Sequence, residues 1–248
     1  MSKVFIFDVD GTLTPSRRPM TKEFKKFFFN WAKKNIFYLV SGSDLEKMKE
    51  QVPDYILNLA KGVFTCGGNE LYIDGDLIYK NIFEPSAELF KYLHLELKFS
   101  PYKIKTNNHI ENRGAMVNFS IVGRDCTLEQ RLDYFKYDTE KGERKRIAEA
   151  IKRQFPDLDA VIGGQISIDI APKGNDKSQV IKKIMEQNIV TSKDNYVFIG
   201  DRTMKGGNDY PLAYTMNKMD NCEVFQAGEP SAEDGYKSTQ KILEKLID

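Results

Sequence analysis

The sequence predicts an α/β protein, a doubly wound parallel sheet with an α+β module set into it, and three observations carry that expectation. Short apolar runs at Val4–Phe7, Ile36–Val40 and Asn195–Ile199 each stop abruptly, and helical spacing recurs between them. The stops are carboxylates, hydroxyls and glycines, the groups expected where open α/β sheets bind ligands, outside the carboxyl ends of their strands. Between residues 82 and 172 the pattern changes, because strand-like and helical runs segregate as in a unit with an antiparallel sheet. The expected division is therefore 1–81 and 173–248 for two halves of one core, with 82–172 inserted between them.

Composition narrows the class. A chain of 248 residues with 41% hydrophobic content has room for a large domain or a core plus a module. A formal net charge of +1 provides no global field for nucleic acid or an anionic membrane, so any affinity for phosphate must come from local clusters. No stretch approaches the roughly 20 apolar residues of a membrane span, and the amino terminus lacks a secretory pattern, so the cytoplasm is the expected location. Cys66, Cys126 and Cys222 are widely spaced with no Cys-x-x-Cys pair and are read as reduced thiols.

The first strand runs into Asp8-Val9-Asp10-Gly11-Thr12. Strand alternation places Asp8 and Asp10 on one side, both toward one metal. A carboxylate attacking a phosphate ester meets another anion, and an oxygen-ligated Mg²⁺ offsets that repulsion while the second carboxylate carries the proton. Solvated acids in an Asx-type turn would explain Asp-x-Asp alone; the whole motif after an apolar strand favours a site. A Pro-punctuated loop follows, with Arg17 and Arg18 beside the strand, and Thr21 caps a helix over Lys22–Lys34. Its Phe24, Phe27, Phe28 and Trp31 read as core packing. The second strand ends in Ser41-Gly42-Ser43-Asp44 ahead of a helical Leu45–Gln51, which serves either as a helix cap or to bring a hydroxyl and a helix amino terminus to a phosphoryl oxygen. A third strand ends near Thr65, and Asp74-Gly75 between alternating apolar runs signals a hairpin.

Within the insert, Glu88–Phe99 and Glu140–Gln154 read as helices, and Met116–Val122 and Ile166–Ile170 as strands. Arg113, Arg124 and Arg131 either pair with the abundant acids at the surface or offer planar forks to phosphate oxygens. The core resumes at Gly174-Asn175-Asp176-Lys177-Ser178, ahead of a helix through Met185; Lys177 is a candidate for neutralising a nucleophile and a phosphoryl group. The last apolar strand ends in Gly200-Asp201, and Gly206-Gly207-Asn208-Asp209 follows. Asp201 is the candidate metal ligand there, with Asn208 and Asp209 as further candidates for the ligand set.

The strand-end elements at Asp8–Thr12, Ser41, Lys177 and Asp201 resemble, in order, the four motifs of the haloacid-dehalogenase (HAD) superfamily. That resemblance implies an aspartyl phosphate at Asp8, general acid/base work by Asp10, phosphate contact by Ser41, and Mg²⁺ on Asp8, Asp201 and the Asp10 backbone carbonyl. Asn118-x-Ser120, Gly123-Arg124, the spacing to Arg131, Gly163-Gly164-Gln165-Ile166-Ser167-x-Asp169 and Gly206–Asp209 resemble the eukaryotic-type phosphomannomutases over nearly the whole chain. This closer likeness implies a HAD-like core with an inserted α+β cap domain. Arg17, Arg113, Arg124 and Arg131 would grip the distal phosphate, and Ser167 and Asp169 would contact phosphate and sugar hydroxyls. It also implies hexose phosphates as partners, a hexose 1,6-bisphosphate as activator and a homodimer through the caps, with no nucleic acid and no membrane. The chain departs from the family pattern at Cys66-Gly67-Gly68-Asn69-Glu70 and at Asn175, where Glu-Asn-Gly and a Trp are usual. The same core would serve a sugar-phosphate phosphatase, and these departures bear on the balance between the two activities.

Overall fold

The computed structural model describes residues 3–187, 194–229 and 233–247. The first stretch of chain forms β1 (Lys3–Asp8), α1 (Lys22–Ala32), β2 (Ile36–Val40), α2 (Leu45–Gln51), α3 (Asp54–Leu57), β3 (Val63–Thr65), β4 (Glu70–Ile73) and β5 (Asp76–Lys80). There follow α4 (Ala87–Phe99), β6 (Ile110–Asn112), β7 (Val117–Phe119), α5 (Leu128–Lys141), α6 (Glu143–Gln154), β8 (Leu158–Gly163) and β9 (Ser167–Pro172). The last stretch holds α7 (Gln179–Glu186), β10 (Asn195–Gly200), α8 (Tyr210–Met216), β11 (Cys222–Gln226) and α9 (Gly235–Ile247). The chain divides into two compact units, one of Met1–Lys80 with Asn175–Asp248 and one of Asn81–Gly174.

The first unit is built on a sheet in the order β11-β10-β1-β2-β3-β4-β5. Pairing is parallel from β11 to β3 and antiparallel at β4 and β5. Phe5 and Phe7 point to one face, where they meet Phe24, Phe28 and Trp31 of α1 and Leu243 of α9. Val4 and Ile6 point to the other, against Val180 and Ile184 of α7 and Leu212 and Met216 of α8. Cover on both faces is why these strands read as unbroken apolar runs. Parity then carries Asp8 to the α7 face, and β1 lies between β10 and β2, so its carboxyl end opens at the middle of the sheet. The hairpin turn has Asp74 and Gly75 at φ 52° and 87°, the left-handed pair that a two-residue Asp-Gly turn requires.

The second unit has an antiparallel sheet in the order β6-β7-β9-β8. Val117, Phe119, Ile168 and Ile170 cover one face and pack with Leu89 and Leu93 of α4, Tyr134 of α5, and Ile147 and Ile151 of α6. Alternation puts Glu111, Asn118 and Asp169, paired strand to strand, on the other face. The charged helix expected from Glu140 is divided: α5 ends at Lys141 and α6 begins at Glu143, with Gly142 between them in the left-handed conformation at φ 67°. Among the described residues, no helix is long and apolar enough to cross a membrane.

Candidate active site

The end of β1 delivers Asp8 into a buried cluster of charge. Lys177 Nζ donates to Asp8 Oδ1 and to Asp209 Oδ1, each at 2.6 Å. Thr12 Oγ1 donates to Asp8 Oδ2 at 3.1 Å, and the Arg202 backbone N–H donates to Asp209 Oδ2 at 2.9 Å. Asp201 is the third acid, and carboxylate oxygens of Asp8, Asp201 and Asp209 lie within 4.8 Å of one another. No residue in this set of three acids and one lysine is more than 3% exposed. Three carboxylates and one ammonium leave these four side chains formally two charges negative. Burial and then Asp209 push the Asp8 carboxyl well above its ordinary range, Lys177 opposes them, and Asp201 adds to the rise. Burial alone would pull the Lys177 ammonium down, but Asp209 and Asp8 together hold it above its usual value.

These residues suit a hard divalent cation. All the donors are oxygens, their charge is in deficit, and Asn208 Oδ1 is buried with no hydrogen-bond partner among the described residues. Gly11 makes room for the arrangement: it has φ +80°, and a Cβ there would lie 2.6 Å from Asp201 Oδ2.

Asp10 corrects the expectation drawn from strand alternation. β1 ends at Asp8, and the backbone N–H groups of Thr12, Leu13 and Thr14 all turn back to the Val9 carbonyl, so the period of two lapses. Asp10 Oδ1 instead accepts from the Arg17 N–H at 2.7 Å and from Gln51 Nε2 at 2.9 Å, and Asp10 is not part of the carboxylate cluster. Gln51 closes α2 and is 5% exposed; nothing in its local sequence marks it, since its partner lies 41 residues away. Arg17 itself is half-buried in the first unit, with its backbone in the left-handed region at φ 56°.

Ser41 lies just beyond β2 and is buried. Its Oγ accepts from the Ser43 N–H at 3.0 Å, so its own O–H remains to donate. The cap of α2 is Asp44, which accepts from the Lys47 N–H at 2.9 Å, and Ser41 is not needed for that task.

The polar face of the second unit gathers most of the remaining candidates. Arg124 Nη1 donates to Ser167 Oγ at 2.6 Å, and Asn118 Nδ2 donates to Asp169 Oδ1 at 2.6 Å. Ser167 and Asp169 are buried. Arg113 Nη2 meets Glu111 Oε2 at 2.6 Å, and Arg124 Nε lies 3.6 Å from the same oxygen. Glu111 is therefore a shared counter-ion that the sequence reading left without a role; its place in β6, two residues before Arg113 just beyond that strand, was the available signal. Arg131 is buried in the first turn of α5.

Comparison with known proteins gives the family and the fold. The family described as eukaryotic phosphomannomutase matches residues 24–244. The phosphomannomutase of Encephalitozoon cuniculi is 36% identical, over 98% of this chain and 94% of its own length. A probable phosphomannomutase of Caenorhabditis elegans is 33% identical, over 98% and 96%. Among solved structures, a haloacid dehalogenase-like hydrolase from Bacteroides thetaiotaomicron superposes with a TM-score of 0.61 at 14% identity, covering 99% of this chain and all of its own, which speaks to the fold. The chain belongs to the eukaryotic phosphomannomutase family.

Proposed function

We propose that this protein is a Mg²⁺-dependent phosphohexomutase that interconverts mannose 6-phosphate and mannose 1-phosphate. The observation that carries the reading is the buried Asp8–Lys177–Asp209 chain beside Asp201, a nucleophile held next to both a cation and the means to bind a second one. Family membership supplies the substrate class.

In this reading the Asp8 carboxylate attacks a phosphorus of a hexose 1,6-bisphosphate, the bond from phosphorus to the sugar oxygen breaks, and Asp10 gives that oxygen its proton. The opposite transfer starts from a hexose monophosphate: its free hydroxyl loses a proton to Asp10 and takes the phosphoryl group from Asp8. Arg17 N–H and Gln51 fix the Asp10 carboxylate for both steps. Ser41 donates to a phosphoryl oxygen, and Lys177 balances the charge that Asp8 carries before attack. Mg²⁺, held by Asp8, Asp201 and Asp209 with Asn208 Oδ1 as a further donor, would supply positive charge against which carboxylate and phosphate can approach.

A mutase must also hold the phosphate that is not being transferred, and a hydrolase has less need to. Arg113, Arg124 and Arg131 supply permanent charge for that phosphate, with Ser167 and Asp169 on phosphate and sugar hydroxyls, while Glu111 keeps the guanidinium groups of Arg113 and Arg124 compensated in its absence. The free thiols of Cys66, Cys126 and Cys222 support a reducing, cytoplasmic setting.

Asp8→Asn tests the nucleophile. Turnover should fall by roughly a thousandfold or more, while calorimetric binding of mannose 1-phosphate persists. Wild-type turnover in that variant would overturn the reading.

A further inference from the structure

Arg144 stands near the start of α6 with 3% of its surface exposed. Its Nε donates to Asp138 Oδ2 at 2.8 Å, and Asp138 Oδ1 accepts from the Arg144 backbone N–H at 2.7 Å. Its Nη1 faces three backbone carbonyls: Gly163 at 3.3 Å, Gly164 at 3.0 Å and Ser167 at 3.3 Å. One side chain thus ties the junction of α5 and α6 to the turn between β8 and β9. The ion pair by itself is weak evidence for a role in stability, because an apolar pair of similar volume often serves a core as well. What an apolar pair cannot do is fix three carbonyls at once.

The turn so held leads into the sugar-facing residues. Ser167 opens β9, and its Oγ accepts from Arg124. Asp169 fills the space beside Gly163, where a Cβ would sit 2.4 Å from Asp169 Oδ2. A shift of a few tenths of an ångström in the Gly163–Ser167 backbone therefore moves both side chains. We propose that Arg144 is a positioning residue that sets the Ser167 hydroxyl and the Asp169 carboxylate for a phosphosugar. The inference rests on the reading that Ser167, Asp169 and Arg124 bind such a ligand.

The test is calorimetric titration with glucose 1,6-bisphosphate of the full-length, Mg²⁺-loaded Asp8→Asn protein, which cannot take the phosphoryl group, adding Arg144→Lys, Ser167→Ala and both together. KM and kcat are read in the same variants with Asp8 intact. Lysine keeps a charge for Asp138 but has one nitrogen where arginine has three. Arg144→Lys should weaken binding about tenfold, the worth of one well-placed hydrogen bond, and raise KM while kcat at saturation stays near wild type. In the Ser167→Ala background the same substitution should have a smaller effect, because only its path through Asp169 remains. Unchanged affinity in Arg144→Lys, or an equal loss in both backgrounds, overturns the positioning role while leaving the phosphosugar reading intact. Unchanged affinity in Ser167→Ala overturns that reading and this inference with it. Arg144→Met is the stronger perturbation, and Arg144→Lys decides the matter if the methionine variant does not fold.

Discussion

Lys177→Met removes the ammonium from the centre of the acid cluster while keeping an unbranched, apolar chain. Each of its two contacts spans 2.6 Å, so at an effective dielectric of about 20 the gross attraction is about 6 kcal/mol per pair, before desolvation is subtracted. Breaking a buried pair from one side costs about 3–5 kcal/mol net, and that is the expected loss of folding stability. The loss should depend on pH. Burial, Asp209 and Asp201 raise the Asp8 carboxyl and Lys177 lowers it, so without the ammonium it rises further. The folded variant then holds a proton that the unfolded chain releases. Stability from the protonated form is complete below the unfolded value near ~4 and is lost as pH climbs through the raised folded value. Urea unfolding in EDTA, followed by the fluorescence of Trp31, the chain's single tryptophan and a buried one, reads the first unit. The deficit against wild type should be larger at pH 8 than at pH 5. A deficit under about 1 kcal/mol, or one that is the same at both pH values, would refute the electrostatic account of this cluster.

Two further substitutions probe the neighbouring geometry. Gly11→Ala places a Cβ 2.6 Å from Asp201 Oδ2 and adds about 1 kcal/mol of left-handed strain; the Mg²⁺ concentration for half-maximal activity should rise about tenfold or more. An unchanged Mg²⁺ titration would remove Asp201 from the ligand set. Gln51→Leu deletes the amide donor to Asp10 Oδ1, and kcat should drop about tenfold, equivalent to about 1.4 kcal/mol, with KM for the hexose phosphate nearly unchanged. A rise in KM alone would mean that Gln51 does not act through the proton carrier.

The core was legible because its strands are covered on both faces. Uninterrupted apolar runs cannot continue past the edge of such a sheet, so Asp8, Ser41 and Asp201 announce the strand ends by breaking the runs. Asp10 was misread because a two-residue period describes a strand, and the strand stops two residues earlier. α5 left little trace, since its buried face is Arg131, Tyr134 and Asp138, two charges and one aromatic where a core-facing stripe would be apolar. Glu111 sits two residues from Arg113 and only its reach to Arg124 is tertiary, whereas Gln51, which completes the Asp10 site, is set by tertiary contact and has no local signature. The same is true of the two departures from the family pattern. They meet in space: Asn69 Nδ2 donates to the Asn175 carbonyl at 2.8 Å and to the Cys66 carbonyl at 2.7 Å.

Product analysis tests the central claim most directly. Mannose 1-phosphate, Mg²⁺ and a catalytic amount of glucose 1,6-bisphosphate are incubated with the enzyme, and hexose 6-phosphate and inorganic phosphate are followed together. Mannose 6-phosphate that depends on the bisphosphate, with little free phosphate, is the result expected of a mutase. Stoichiometric free phosphate and mannose would contradict it and make the protein a phosphatase.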